Sequence, residues 1–185
     1  MLVSPKRTLG AILEEEAKQL TGGEQKRHWI KCEKLKLFCV QTCEQELGHY
    51  NMYTAMMYNN LGKLYSKMGK TRQAEELIIR ALNIEQAILG PLHKSVARSN
   101  NCLANLYFDL QQYERAEQHY LNSINIRMEL IGPGDPGLLC DYSGLIRVYR
   151  KLELHERKEE VERRQKEFNN ISCPQMRIRK NGVNM

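Results

Sequence analysis

The sequence predicts an all-α repeat protein, and three observations carry the prediction. The stretch Leu47–Leu130 contains one pattern written twice without a gap, Leu47–Ile88 and Leu89–Leu130, with a step of 42 residues. Gly48 falls on Gly90, Asn59 on Asn101, Leu61 on Leu103, Leu64 on Leu106, Tyr65 on Tyr107, Ala74 on Ala116 and Glu75 on Glu117. Within each copy the apolar residues recur at helical spacing, in two runs separated by a Gly- or Gln-containing break. A fixed period of this size marks an array of small units, each unable to bury its apolar face alone.

The type of unit is legible in its spacing. The first copy carries Tyr58-x2-Leu61-Gly62-x2-Tyr65, then Ala74 and Ala81; the second carries Asn100-x2-Leu103-Ala104-x2-Tyr107, then Ala116 and Ser123. This resembles the tetratricopeptide repeat, in which an aromatic, a Leu, a small residue and a Tyr share one face of a first helix. Small residues on a second helix then let the pair approach closely. Tyr58 and Asn100 stand where that family usually has Trp, and its closing Pro is absent, so the second helix is expected to run on. The family's common period is about 34 residues. A longer unit that opens with Leu-Gly and holds an Asn-Asn-Leu core is similar to the kinesin light chain type. The resemblance implies a right-handed superhelical solenoid of about three and a half hairpins, with stacking burying a continuous core.

Taken in order, residues 1–46 read as a degenerate N-terminal repeat. Residues 1–7 are expected to be a loose arm. Leu9, Ile12, Leu13, Ala17 and Leu20 keep a helical stripe from Thr8 to Leu20, and Thr21-Gly22-Gly23 breaks it. Gln25–Glu46 reads as a second helix, because Cys32 falls on Ala74, Glu33 on Glu75, Leu35 on Leu77 and Cys39 on Ala81. In the repeat 47–88 the first helix is expected near Met52–Lys67. Gly69 is its stop and Thr71 the N-cap of the next helix. The repeat 89–130 follows the same plan. The unit 131–172 opens with Ile131-Gly132-Pro133-Gly134-Asp135-Pro136 and keeps Tyr142, Leu145, Ile146, Val148 and Tyr149 in register. Its second helix, Leu154–Asn170, departs: Lys158 and Gln165 take the small-residue positions. A polar last helix suits the end of a stack, where the outer face meets water. Residues 173–185 hold Arg177, Arg179, Lys180 and no acid, and read as a disordered basic tail.

Composition excludes several classes. The net charge is +6, of which +3 lies in 173–185, so the array is only slightly basic and nucleic acid is not an expected partner. No apolar run approaches the ~18 residues that span a bilayer. The N-terminus lacks an apolar h-region and carries Glu14, Glu15 and Glu16, which argues against a signal or transit peptide. A cytoplasmic location is expected, with the nucleus and microtubule or membrane association left open.

No phosphate loop, nucleophile elbow or zinc-protease helix is present, and the five histidines are scattered, so neither catalytic residues nor a cofactor are assigned. His28, Cys32, Cys39 and Cys43 share one side of one helix and suggest a soft-metal stripe. His28 to Cys43 spans about 22 Å at 1.5 Å per residue, too far for one tetrahedral ion. Packing is the better reading, since Cys32 and Cys39 take the small-residue positions and buried Cys behaves as a small hydrophobe.

The polar face of the first helices is the candidate site. Opposite the core stripe lie Asn59, Lys63 and Ser66 in the first clear repeat, and Arg98, Asn101, Asn105 and Phe108 in the second. Ser143, Arg147 and Arg150 take that face in the third. An amide offers both donor and acceptor to an extended backbone, and Lys63, Arg98, Arg147 and Arg150 suit an acidic ligand. The resemblance implies a peptide in a concave groove lined by these residues. It also implies an adaptor that binds cargo-protein tails or degradation signals, with microtubule-motor or cullin-type ubiquitin ligase components as partners. Assembly through the edges of the solenoid is the alternative.

Overall fold

A computed structural model describes residues 22–172, with side chains to 169. The stripe Thr8–Leu20, the N-terminal arm and the basic tail lie outside the described residues. Among the described residues there are seven helices and no strand: α1 Gly22–Leu47, α2 Met52–Lys67, α3 Thr71–Leu89, α4 Lys94–Asp109, α5 Tyr113–Leu130, α6 Gly137–Lys151 and α7 His155–Ser172. The chain divides into two compact units at Pro91/Leu92, the first holding α1 to α3 and the second α4 to α7.

In the first unit α2 packs between α1 and α3. Asn51 caps α2 by accepting the Tyr53 N–H at 2.8 Å, and the helix stops in a left-handed turn at Gly69 (φ 74°). There the Lys70 N–H returns to the Tyr65 carbonyl at 2.9 Å, which satisfies an orphan carbonyl. Thr71 does not cap α3: it is the first helical residue, Lys70 precedes it, and no side chain caps that end. Gly22 and Gly23 stand at the start of α1, with Gly22 in the left-handed region (φ 63°). Cys32, Cys39, Ala74 and Ala81 are all buried, so the small positions sit where helices touch. Gly62 belongs to the same contact, because a Cβ there would lie 2.6 Å from Ile78 Cγ1.

In the second unit α5 packs against α4 and α6, and α7 covers the far side of α6. Ala116 and Ser123 are fully buried, whereas Lys158 and Gln165, at the same register in α7, are half-buried. Among the described side chains of α7, Val161 and Phe168 are buried, a narrow apolar stripe on an otherwise charged helix. Inside the α4/α5 hairpin, Asn100 Nδ2 donates to the Val96 carbonyl at 2.9 Å, leaving Oδ1 to face His119 Nδ1 at 2.9 Å. The His119 ring therefore donates from Nδ1, and it stacks on Tyr107 with centroids 5.3 Å apart. Burial, aided by the Arg115 charge, holds the His119 pKa below its ordinary value.

Two tests follow from these local structures. The turn after the first helix recurs with Gln111 (φ 60°) and Glu153 (φ 59°) at the place of Gly69. A left-handed non-glycine costs roughly 1–2 kcal/mol, partly offset by the extra chain entropy of glycine. Gln111→Gly is expected to stabilise the protein by about 0.5–1 kcal/mol, read as a raised Tm. For His119, the folded-state pKa lies below the unfolded one. Its contribution is complete above the unfolded pKa of about 6.5 and is lost as pH falls towards the folded value. Tm is expected to drop from pH 7 to pH 5 more steeply in the wild type than in His119→Gln.

Candidate protein-interaction face

The second unit brings α4 and α6 side by side. Three layers of side chains connect them, starting from the interior. At the bottom, α6 is seated by a buried charge cluster. Arg127 Nε donates to Asp141 Oδ2 at 2.8 Å, and Arg127 Nη1 reaches both Asp135 oxygens at 3.3 Å. Ser123 Oγ donates to Asp141 Oδ2 at 2.8 Å, and Asn101 Nδ2 donates to Asp141 Oδ1 at 2.6 Å. Asp135 Oδ1 in turn accepts the Gly137 N–H at 2.7 Å, which caps the start of α6. Arg127, Asp135 and Asp141 are all buried. Burial pushes the Asp141 carboxyl above the ordinary carboxylate range, against the opposing pull of Ser123, Asn101 and Arg127. Gly137 leaves room for the guanidinium, since a Cβ there would lie 1.9 Å from Arg127 Nη1.

One turn up, the fully buried Tyr120 donates its hydroxyl to Asn105 Oδ1 at 3.0 Å. Asn105 Nδ2 is spent on the Asn101 carbonyl at 2.7 Å and on Asn101 Oδ1 at 3.1 Å. Burial raises the Tyr120 pKa well above that of a free phenol. At the top, the exposed Arg147 lays its guanidinium over the half-buried Phe108 ring at 4.0 Å, and Phe108 leans on Tyr113 with centroids 5.6 Å apart. Arg150, one turn further along α6, is exposed.

The structure thus gathers Asn101, Asn105, Phe108 and Arg147 and sorts them by depth. Arg98 is half-buried at the other end of α4, and Ser143 is exposed and accepts Gln165 Nε2 at 2.8 Å. The Asn residues were expected as groove amides, but Asn101 and Asn105 are committed inside the unit. In the first unit Asn59 is only 1% exposed and donates to the buried Glu85 at 3.1 Å, so it is not on an open surface. Lys63 and Ser66 lie half-buried on α2 of that unit. A first helix packs against more than its own hairpin partner, so a polar position opposite the core stripe can still face protein.

Sequence reasoning missed Arg127, Asp135, Asp141, Tyr113, Tyr120 and Gly144. One signal was available: Asp141 stands at the register of Ser99, and Arg127 at that of Glu85, so charges occur at positions that a repeat core fills.

The tetratricopeptide repeat family matches residues 24–87 and 95–157. The chain belongs to the tetratricopeptide repeat family. Such repeats are protein-interaction modules. Solved structures share the fold: BtubC (BKLC) from P. vanneervenii has a TM-score of 0.71 at 21% identity, over 97% of this chain and 67% of that one. A substituted form of a Podosopora anserina putative kinesin light chain with nearly identical TPR-like repeats has a TM-score of 0.70 at 17% identity, over 95% and 78%. The same Podosopora anserina repeats without that substitution give 0.69 at 17% identity, over 94% and 77%. No curated protein matches. No described helix is long and apolar enough to cross a membrane.

Proposed function

We propose that the chain is a non-catalytic adaptor module whose α4/α6 face takes up an acidic segment of a partner protein. The observation that carries this is the Arg147–Phe108 stack: the ring orients an exposed guanidinium whose N–H edge is suited to a carboxylate. Arg150 adds a second exposed cation on the same helix. Asn101, Asn105 and Tyr120 serve beneath as a fixed floor.

Partner classes are cargo-protein tails or degradation signals, with a microtubule motor or a cullin-type ligase as the downstream machinery, in the cytoplasm. The support is sequence resemblance. Residues 104–126 and 137–156 look like the end of the repeat array of amyloid protein-binding protein 2, and two of the structural neighbours come from a putative kinesin light chain. The alternative is self-association or complex assembly through an edge. It is favoured by Tyr50 and Tyr53, 65% and 63% exposed beside the link between α1 and α2.

A screen of acidic against neutral and basic peptides tests the proposal, followed by titration of the best binder. The pair Arg147→Glu and Arg150→Glu is expected to weaken acidic binding at least about tenfold with helicity intact. Wild-type affinity should fall as salt rises, because exposed charges are screened over about 8 Å at physiological salt. Equal affinity for the wild type and the reversed pair would put the ligand elsewhere.

A further inference from the structure

The exposed pair Phe108 and Arg147 belongs to two helices, so its existence depends on what sets their spacing. Gly144 lies on α6 one turn before Arg147, and Asn105 lies on α4 one turn before Phe108. Tyr120 of α5 runs between them. Its hydroxyl is tied to Asn105, and its ring fills the space that a side chain at Gly144 would need. A Cβ on Gly144 would lie 2.2 Å from Tyr120 Cζ, 2.4 Å from Cε1 and 2.5 Å from the hydroxyl oxygen. The ring is fully buried and cannot swing aside into solvent. Reaching an ordinary carbon contact would require α6 to retreat by about 1 Å or more. The Arg147 guanidinium rests on Phe108 at 4.0 Å, and a shift of that size takes it out of van der Waals contact with the ring face.

The arrangement occurs once among the described repeats. Cys102 and Asn60 stand at the register of Gly144, and Ile78 and Glu162 at that of Tyr120. Gly144 also lies two places before the small position of the repeat motif, which Ile146 fills in this unit, so hairpin packing does not account for it.

We infer that Gly144 is a positioning residue for the interaction face: by admitting the Tyr120 ring it sets the α4–α6 spacing at which Arg147 stacks on Phe108. The inference rests on the proposed binding role of Arg147, and its first readout does not depend on any ligand. Protons over an aromatic face are shifted upfield by the ring current, so the Arg147 side-chain N–H signal in a ¹H–¹⁵N spectrum of the full chain reports the stack. Phe108→Leu defines the unstacked position of that signal. Gly144→Ala is expected to retain its far-UV circular dichroism while the Arg147 signal moves clearly towards the Phe108→Leu position. Tyr120→Phe keeps the ring and is expected to leave the signal near its wild-type place. If Gly144→Ala fails to fold, the pair Gly144→Ala with Tyr120→Leu removes the collision and is expected to fold with the signal restored. Affinity for a fluorescein-labelled hexaglutamate peptide should fall in Gly144→Ala to the level of Arg147→Ala. An Arg147 signal unmoved in Gly144→Ala, or left unstacked in the compensated pair, overturns the inference. A signal that moves as expected while the wild type binds no hexaglutamate supports the positioning role and removes the acidic ligand instead.

Discussion

The second unit depends on one buried arrangement of charge, Arg127 between Asp135 and Asp141. An arginine cannot shed its proton in a protein interior, so its burial demands acceptors on every side. Here they come from the segment that opens α6 and from α6 itself. Coulombic attraction in such a site is offset by the cost of taking both partners out of water, so the cluster is weak evidence of net stability. Its consequence lies in which placements of α6 it penalises. Any other placement of α6 leaves a buried guanidinium or carboxylate without partners, an error of several kcal/mol by the usual scale (about 3–5). The cluster therefore fixes where α6 starts, and so where Gly144 and Arg147 stand relative to α4.

The repeat logic supplies the frame around that cluster. Thr71, Tyr113 and His155 begin second helices at steps of 42 residues. Before each of them a left-handed residue turns the chain, and the next N–H returns to a first-helix Tyr carbonyl. That turn fixes how the second helix leaves the first, and the small residues set how near it comes. Where Lys158 and Gln165 replace them, α7 still closes on α6 through Val161 and Phe168 but leaves most of its surface to water. The first unit handles the register of Arg127 differently. Glu85 stands there, fully buried, with the Asn59 amide donating to it. One frame thus hosts an acidic side chain in one unit and a basic one in the other at one register, each with local partners.

Much of the fold was legible because periodicity reports burial averaged over many residues. The helices from α2 onward, the stop at Gly69 and the burial of Cys32 and Cys39 all follow from matching one copy to another. The N-cap was misjudged at Thr71 because a β-hydroxyl two residues after a glycine reads the same whether it stands just outside or just inside the helix. The candidate site was legible only in part. Phe108 and Arg147 were singled out separately, but their contact joins two repeats, and a helical projection treats each helix alone. For the same reason Asn59, Asn101 and Asn105 read as open amides, although each is consumed by a partner on its own or a neighbouring helix. Arg127 and Asp141, 14 residues apart, carried no pairing signal.

Arg127 and Asp141 act as one unit in seating α6. A double-mutant cycle with Arg127→Met, Asp141→Leu and the combined variant, each measured by urea unfolding, tests it most directly. Arg127→Met leaves two buried carboxylates without their cation, and Asp141→Leu leaves the guanidinium with Asp135 alone; each is expected to cost about 3–5 kcal/mol. The combined change leaves only Asp135 of the three charges, still held by the Gly137 N–H, and is expected to cost less than the sum, giving a coupling of at least about 2 kcal/mol. Additivity within about 0.5 kcal/mol would mean that the two residues contribute independently and that something else seats α6.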